Sequence, residues 1–542
     1  MPTLQFLPVQ QPALQAPALL PVSQEELEQV IRDAQAMETQ SRWADAMTHY
    51  ETAMRLHNYN ESLMERYRIA RFHYDINRRQ HDVSYINLIN NSKLDETVRF
   101  FNEVMNCVEL EYADSPNWEQ LFLHGIMNVK IAVTDNGFCK NAGLQVAPQQ
   151  ITDFLKDVQA TIDRWEIRNR EDLKNGLFHI AEKAKAQIGL NPVKTIMEFT
   201  CGFINSLDVY STYLSPRQLS DQFSQISGNL VGLGVELRSD HTSLVIVRVI
   251  PGSPAAEAGL KDGDRILSVD GTSTSGRDTD SAADLLQGTE GTTVNIVVRP
   301  SGFGQQDKKL GIVRRQIDVP SVEDITMLTE KLGYVRLTSF QAKTAMELNR
   351  AIAYLNGQGM QKLVLDMRGN PGGLFQVGIE VANMFLDSGA IVRTQGRNHD
   401  LDAPFLATQG NTWRMPLVVL IDEDSASAAE IVAGALRDHQ RAVLVGKRTY
   451  GKGTVQKILP LRSAMYNGER SGLKLTVEKF YSPKGWAYSG VGVTPDVIIQ
   501  EDKKQRVTLA KPVNGKVPRP ISSRLDDTFI KEAVRVAESN AI

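Results

Sequence analysis

Two serines and a lysine carry the chemical suggestion in this chain. Ser425-Ala426-Ser427 follows the acidic turn Asp422-Glu423-Asp424, and Lys452 stands between Gly451 and Gly453, 25 residues beyond Ser427. A serine hydroxyl is a weak nucleophile until a base takes its proton, and a lysine becomes such a base once burial disfavours its charged form. A pair of this kind needs no histidine. The glycines on either side of Lys452 let the backbone bend tightly enough to tuck the amine into a buried site.

These residues must be held by particular elements. Leu417 to Ile421, LVVLI, is an apolar run of strand length, and from Ala428 to Leu436 the apolar residues recur at helical spacing. The serines therefore fall where a strand hands over to a helix. Backbone N–H groups in a helix's first turn have no intrahelical partner, so they can receive a negatively charged oxygen. A second strand, 442–445, ends at Gly446 and leads to Lys452. The bland readings are an N-cap serine and a solvated Gly-Lys-Gly turn. A chemical rival is a phosphate-binding loop, because Gly446 to Lys452 has the G-x-x-x-x-G-K spacing. Gly453 stands where that loop needs Ser or Thr, and Thr454 to Leu459 reads as strand rather than helix, which argues against it.

The run Ser425-Ala426-Ser427-Ala428-Ala429-Glu430-Ile431, then Ala433-Gly434-Ala435-Leu436 with Asp438, then Gly451-Lys452-Gly453 with Gln456, closely resembles the carboxyl-terminal processing (tail-specific) peptidases, which are PDZ-containing Ser-Lys serine proteases. The resemblance implies that Ser427 is the nucleophile, Lys452 the general base and Gln456 the residue that orients it. It also implies that the loop containing Gly372 and Gly373 supplies one oxyanion N–H and Ala428 the other. Ala429 departs from the family's usual Ser-Ala-Ser-Glu. His439 lies only just past the Ala428–Leu436 helix and reads as a cap or surface residue; Glu430 reads as a capping-box partner of residue 427.

The chain has 542 residues, 42% of them apolar, enough for several domains with real cores. A net charge of −4 gives no electrostatic footprint for nucleic acid. No apolar run is long enough to span a bilayer. Cys107, Cys139 and Cys201 have neither metal-site nor redox spacing and read as free buried thiols, while the Ser-Lys reading implies no metal and no cofactor.

The expected fold is α/β and multidomain: an N-terminal all-α region, a PDZ domain built as a small β-barrel with helices, and an α/β catalytic core. Residues 1–24, proline-rich and lacking a basic start, read as a disordered leader with no visible signal peptide. Residues 25–195 read as helical; within them Trp43 to Met54 looks like the second helix of a tetratricopeptide repeat, with Ala46, Tyr50 and Ala53 on one face. A plain bundle fits as well, and either form is a candidate surface for a homodimer or an adaptor protein. Residues 196–225 read as a helical segment joining the core.

Residues 226–302 read as the PDZ domain, in which Gly232-Leu233-Gly234-Val235 resembles the loop that binds a peptide's terminal carboxylate through successive N–H groups. Gln287 stands where relatives often have arginine. Residues 303–500 read as the catalytic domain, where β-α-β alternation from Leu332 to Met367 argues for an α/β core. Residues 501–542 form a tail ending in an amphipathic helix, 526–537, for which a docking or dimer role is expected. The function implied is an endopeptidase that takes protein or peptide substrates with free C-termini, in the periplasm or cell envelope. The alternative is a non-catalytic PDZ and helical scaffold that binds protein C-termini.

Overall fold

The computed structural model describes residues 24–539 except 57–59, 241, 277–284, 287, 289, 303, 398–401, 403, 409, 411, 467 and 500–526. Nearly all of the leader, the polar part of the tail and Gln287 lie outside the described residues. The chain divides into two units, residues 1–74 and 75–542.

In the first unit, the helices Gln24–Glu38 and Trp43–Leu56 are joined by a four-residue connection, short enough to make them antiparallel neighbours. Ala46, Tyr50 and Ala53 are all buried, in one cluster with Ala34, Leu63 and Ala70. The buried Tyr50 hydroxyl finds a partner by donating to Glu38 Oε1 at 2.7 Å.

In the second unit, helices continue to Pro192–Asn205, every residue of which from Thr195 to Asn205 is buried. Their core does not close on itself. Phe100, Phe101, Val104 and Val108 of the helix Leu94–Glu111 share one cluster with Leu461, Ala464, Leu473 and Leu475 of a long hairpin formed by Thr454–Tyr466 and Glu469–Tyr481. Glu103 fixes the contact by accepting from the N–H groups of Arg462 and Ser463. The helices thus brace the hairpin that starts two residues after Lys452. The 196–225 stretch, read as helical, also contains the strand Thr212–Leu214, which pairs antiparallel with Gly472 to Lys474.

The PDZ domain is a sheet in the order Val235–Ser239, Leu244–Val249, Arg265–Val269, Thr293–Arg299, Lys308–Val313, wrapped around Leu233, Ile246, Ile266, Val294 and Ile296. Its chain enters and leaves through a two-stranded ladder, Asn229–Gly232 against Arg315–Asp318.

The catalytic core is a six-stranded sheet in the order Val322–Met327, Leu332–Leu337, Lys362–Asp366, Leu417–Ile421, Val443–Gly446, Val497–Ile498, parallel except for its first pair. All five residues of Leu417–Ile421 are buried, as a central parallel strand covered on both faces requires. One face carries Thr344–Gly357, Phe375–Asn383 and Ala428–Asp438. The other is covered by Thr528–Glu538, whose Phe529, Ile530, Ala533, Val536 and Ala537 pack on Tyr334, Val364, Val418 and Val445. This corrects the docking or dimer role expected of that helix: its apolar stripe completes the core of its own sheet.

Candidate active site

Ser427 sits directly before the helix Ala428–Asp438 with φ 57° and ψ −116°, a backbone conformation that side-chain-bearing residues seldom adopt. A strained turn between strand and helix is a recurrent way of presenting a nucleophile. The two serines are treated differently. Ser425 is fully buried; its hydroxyl donates to Met367 O at 2.8 Å and accepts from Asp422 N–H at 3.0 Å. Ser427 makes no side-chain cap hydrogen bond, and among the described residues its hydroxyl has no partner. The N-cap reading therefore does not describe its hydroxyl, and the capping is done by Glu430, which accepts from Ser427 N–H at 2.8 Å.

Glu430 does more than cap. Its buried carboxylate also accepts from the Thr449 hydroxyl at 2.6 Å and from the N–H groups of Gly451 at 2.7 Å and Lys452 at 2.8 Å. Burial raises its pKa while these donors pull it down. One carboxylate thus ties the start of the serine helix to the lysine loop. It also fills the N–H groups on which a phosphate-binding loop would hold phosphate, and Thr454–Tyr466 is a strand, so the nucleotide reading has no support here.

Gly451, at φ 90°, and Gly453 allow the loop to lie against the segment 488–492. A Cβ on Gly453 would come within 2.4 Å of Ser489 N. Lys452 Nζ rests 4.9 Å from the centre of the Tyr210 ring. Burial lowers its pKa to about 8, helped by the charge of Lys474 and opposed by Glu430 and Asp208. Among the described residues Lys452 Nζ makes no hydrogen bond, to Ser427 or to any other group. Both line one cleft of about 580 Å³, together with Gly372, Gly373, Leu374, Gln456 and Lys474.

Gln456 shares the cleft but does not hold Lys452 as the resemblance implied. Its amide donates to Thr454 Oγ1 at 2.8 Å and Thr476 Oγ1 at 3.3 Å. A bulge between Val455 and Gln456 turns the side chain onto its own hairpin. The two glycines also part company. Gly372 N–H donates to Asn370 Oδ1 at 2.8 Å, so it is engaged inside the loop. Gly372 O and Leu374 N–H both bond to Phe340, which leaves the N–H of Gly373 pointing the other way. Gly373 has φ 148°, and a Cβ there would meet Phe340 O at 2.1 Å. Ala428, first residue of its helix, has an N–H without an intrahelical acceptor. The Gly373→Ala variant is expected to lose at least about 100-fold in kcat by shifting that N–H. Peptide turnover by a variant that still melts cooperatively measures this; a near-normal kcat would reject the oxyanion role that the resemblance implies for Gly373.

In the PDZ domain, the carbonyls of Leu233 and Gly234 accept from Ala255 and Ile250 N–H groups. Gly234 has φ 79°, and a Cβ there would strike Ser253. No hydrogen bond occupies the N–H of Leu233 or Gly234 among the described residues. The loop Gly232 to Val235 does not line the cleft that holds Ser427 and Lys452, but Asn229, at the other end of the strand Asn229–Gly232, does. His439 is the C-cap of its helix, exposed, with Nε2 on Ala390 O. Sequence reasoning missed Tyr210 and Lys474. Tyr210 lies in the 196–225 stretch, which reads as a helical joining segment, and Lys474 is one more cation in an alternating strand. Among the described residues no group of three or more His, Cys, Asp or Glu side chains could hold a metal, and no helix is long and apolar enough to cross a membrane.

The sequence matches Peptidase family S41 over residues 331–499 and a PDZ domain over 245–300. It is 38% identical over 307 residues to the carboxy-terminal-processing protease of Bartonella bacilliformis, covering 55% of this chain and 68% of that protein. It is 34% identical over 358 residues to the carboxyl-terminal-processing protease of Synechocystis sp., covering 64% and 82%. Among solved structures, it is similar to a photosystem II D1 C-terminal processing protease at 26% identity and a TM-score of 0.41, covering 75% of this chain and 94% of that one. The fold and the family match define a PDZ-containing serine protease. The chain belongs to the carboxyl-terminal processing proteases of peptidase family S41.

Proposed function

We propose that this protease captures the C-terminal tail of a protein or peptide on its PDZ loop and cleaves it with a Ser427–Lys452 dyad through an acyl-enzyme. The observation that carries the reading is that an unengaged serine hydroxyl and a lysine with its pKa lowered to about 8 line the same cleft. Lys452 swings from the Tyr210 ring, takes the proton from Ser427 Oγ, and the oxygen bonds to the scissile carbonyl carbon. The N–H groups of Gly373 and Ala428 hold the resulting oxyanion. The carbon–nitrogen bond breaks as Lys452 returns the proton to the leaving amine. Water, deprotonated by Lys452, then attacks the acyl carbon; the bond to Ser427 Oγ breaks as Lys452 returns the proton to that oxygen, and the new carboxylate leaves. Gln456 closes the wall on the side of Thr476.

The N–H groups of Leu233 and Gly234 receive the substrate's terminal carboxylate. The strand Asn229–Gly232 spans only about 10 Å from this loop to the cleft wall. The family's usual setting makes the periplasm or cell envelope the expected location, and protein tails the expected partners. Mass spectrometry of a peptide library, with free and amidated C-termini, incubated with wild type and Ser427→Ala tests the reading. Equal cleavage of amidated peptides would reject tail capture, whereas cleavage by the variant would reject the nucleophile.

The pH dependence follows from the same amine. Lys452 acts only when neutral, so kcat/KM rises with pH, with its midpoint near 8. Below that pH the amine is protonated and the rate falls about tenfold per unit. A profile that is flat from about pH 6 to 9 would exclude a lysine base.

A further inference from the structure

Lys474 belongs to the hairpin that follows Lys452. Gln456 pairs with Thr476 and Ile458 with Lys474, and alternate residues share a face, so all four lie on one side of the hairpin. That side is the cleft wall, which Gln456, Ile458 and Lys474 line together with Ser427. Among the described lining residues, Lys452 and Lys474 are the only charged ones, and none is a carboxylate.

We propose that Lys474 is a positioning residue of the reaction: its cationic charge on the cleft wall keeps the nearby Lys452 amine unprotonated and so able to deprotonate Ser427. The inference rests on the base role given to Lys452 above. Two like charges in a partly dry cleft disfavour each other, and the more deeply set amine gives up its proton first. The groups facing Lys452 from the other elements pull the opposite way. The Tyr210 ring face favours a cation. Glu430, on the serine helix, and Asp208, ahead of the strand Thr212–Leu214, do so by charge. Glu430 has its four donors, and Asp208 accepts from Tyr210 N–H, Ser211 N–H and the Ser211 hydroxyl, so neither carboxylate is bonded to the amine. Burial is thus opposed by two carboxylates and a ring, and Lys474 supplies the second push in the direction catalysis needs.

The test compares kcat/KM between about pH 6 and 11 for the full-length wild type, Lys474→Gln and Lys474→Arg. In Lys474→Gln the midpoint is expected to rise by about one unit, so the rate at pH 7 falls about tenfold while the high-pH plateau is kept. Lys474→Arg is expected to keep the wild-type midpoint, because a guanidinium remains charged throughout. The rate at which a serine-directed reagent labels Ser427 gives the same midpoints independently of substrate binding. An unmoved midpoint in Lys474→Gln, or an equal loss in both variants at every pH, would overturn the inference and leave the base role standing. A wild type with no step near pH 8, or a Lys452→Ala variant that retains it, would overturn the base role and this inference with it.

Discussion

Ser427→Ala is expected to lower kcat by at least about 10⁴-fold and to leave folding intact. The two halves of this expectation have separate causes. In the proposed mechanism, removing the hydroxyl removes the atom that forms the acyl bond, and residual turnover would come from binding and the proposed oxyanion N–H groups. Folding survives because the hydroxyl makes no cap bond, and the helix end is held by Glu430 on the backbone N–H of residue 427. Alanine also keeps the Cβ that already tolerates the positive φ. Ser425→Ala is the matched control with the opposite signature: it breaks a buried bond to Met367 O, so it lowers the melting temperature. Peptide turnover and thermal unfolding of the two variants read this directly. Normal cleavage by Ser427→Ala would move the nucleophile elsewhere.

Lys452→Ala is expected to cost about 10³- to 10⁴-fold in kcat, and what remains should lose the rise centred near pH 8. The backbone N–H of residue 452 still bonds to Glu430, so the loop stays in place when the side chain is cut back. Lys452→Arg should be nearly as inactive, since a guanidinium cannot act as a base at these pH values. Loss of activity in both variants with unchanged unfolding separates a missing base from a collapsed loop. Should Lys452→Arg remain active, the side chain serves as a fixed charge and the dyad chemistry is wrong.

Local information went a long way in this chain. The strand Leu417–Ile421, the helix from Ala428, the lysine between glycines and the β-α-β run from Leu332 were all legible, because each is written in residues a few positions apart: an apolar run, a helical period, a turn composition. The motif spacing was enough to name the family, and the comparison with known relatives agrees with it.

The refinements all join residues far apart in the chain. Glu430 could be read as a cap for residue 427, but its hold on Thr449, Gly451 and Lys452 required the lysine loop to be folded against it. Gly372 and Gly373 were indistinguishable until the loop's bonds to Asn370 and Phe340 aimed one N–H inward and the other away. The amphipathic tail helix carried an apolar stripe whose partner, the back of the central sheet, is more than 80 residues away at its nearest principal strand, Val443–Gly446. Tyr210 and Lys474 reach Lys452 from opposite directions along the chain. A periodic pattern says that a face will be buried; which face covers it, and which carboxylate or cation arrives with it, is settled only when packing excludes water and leaves each buried polar group to find its partner.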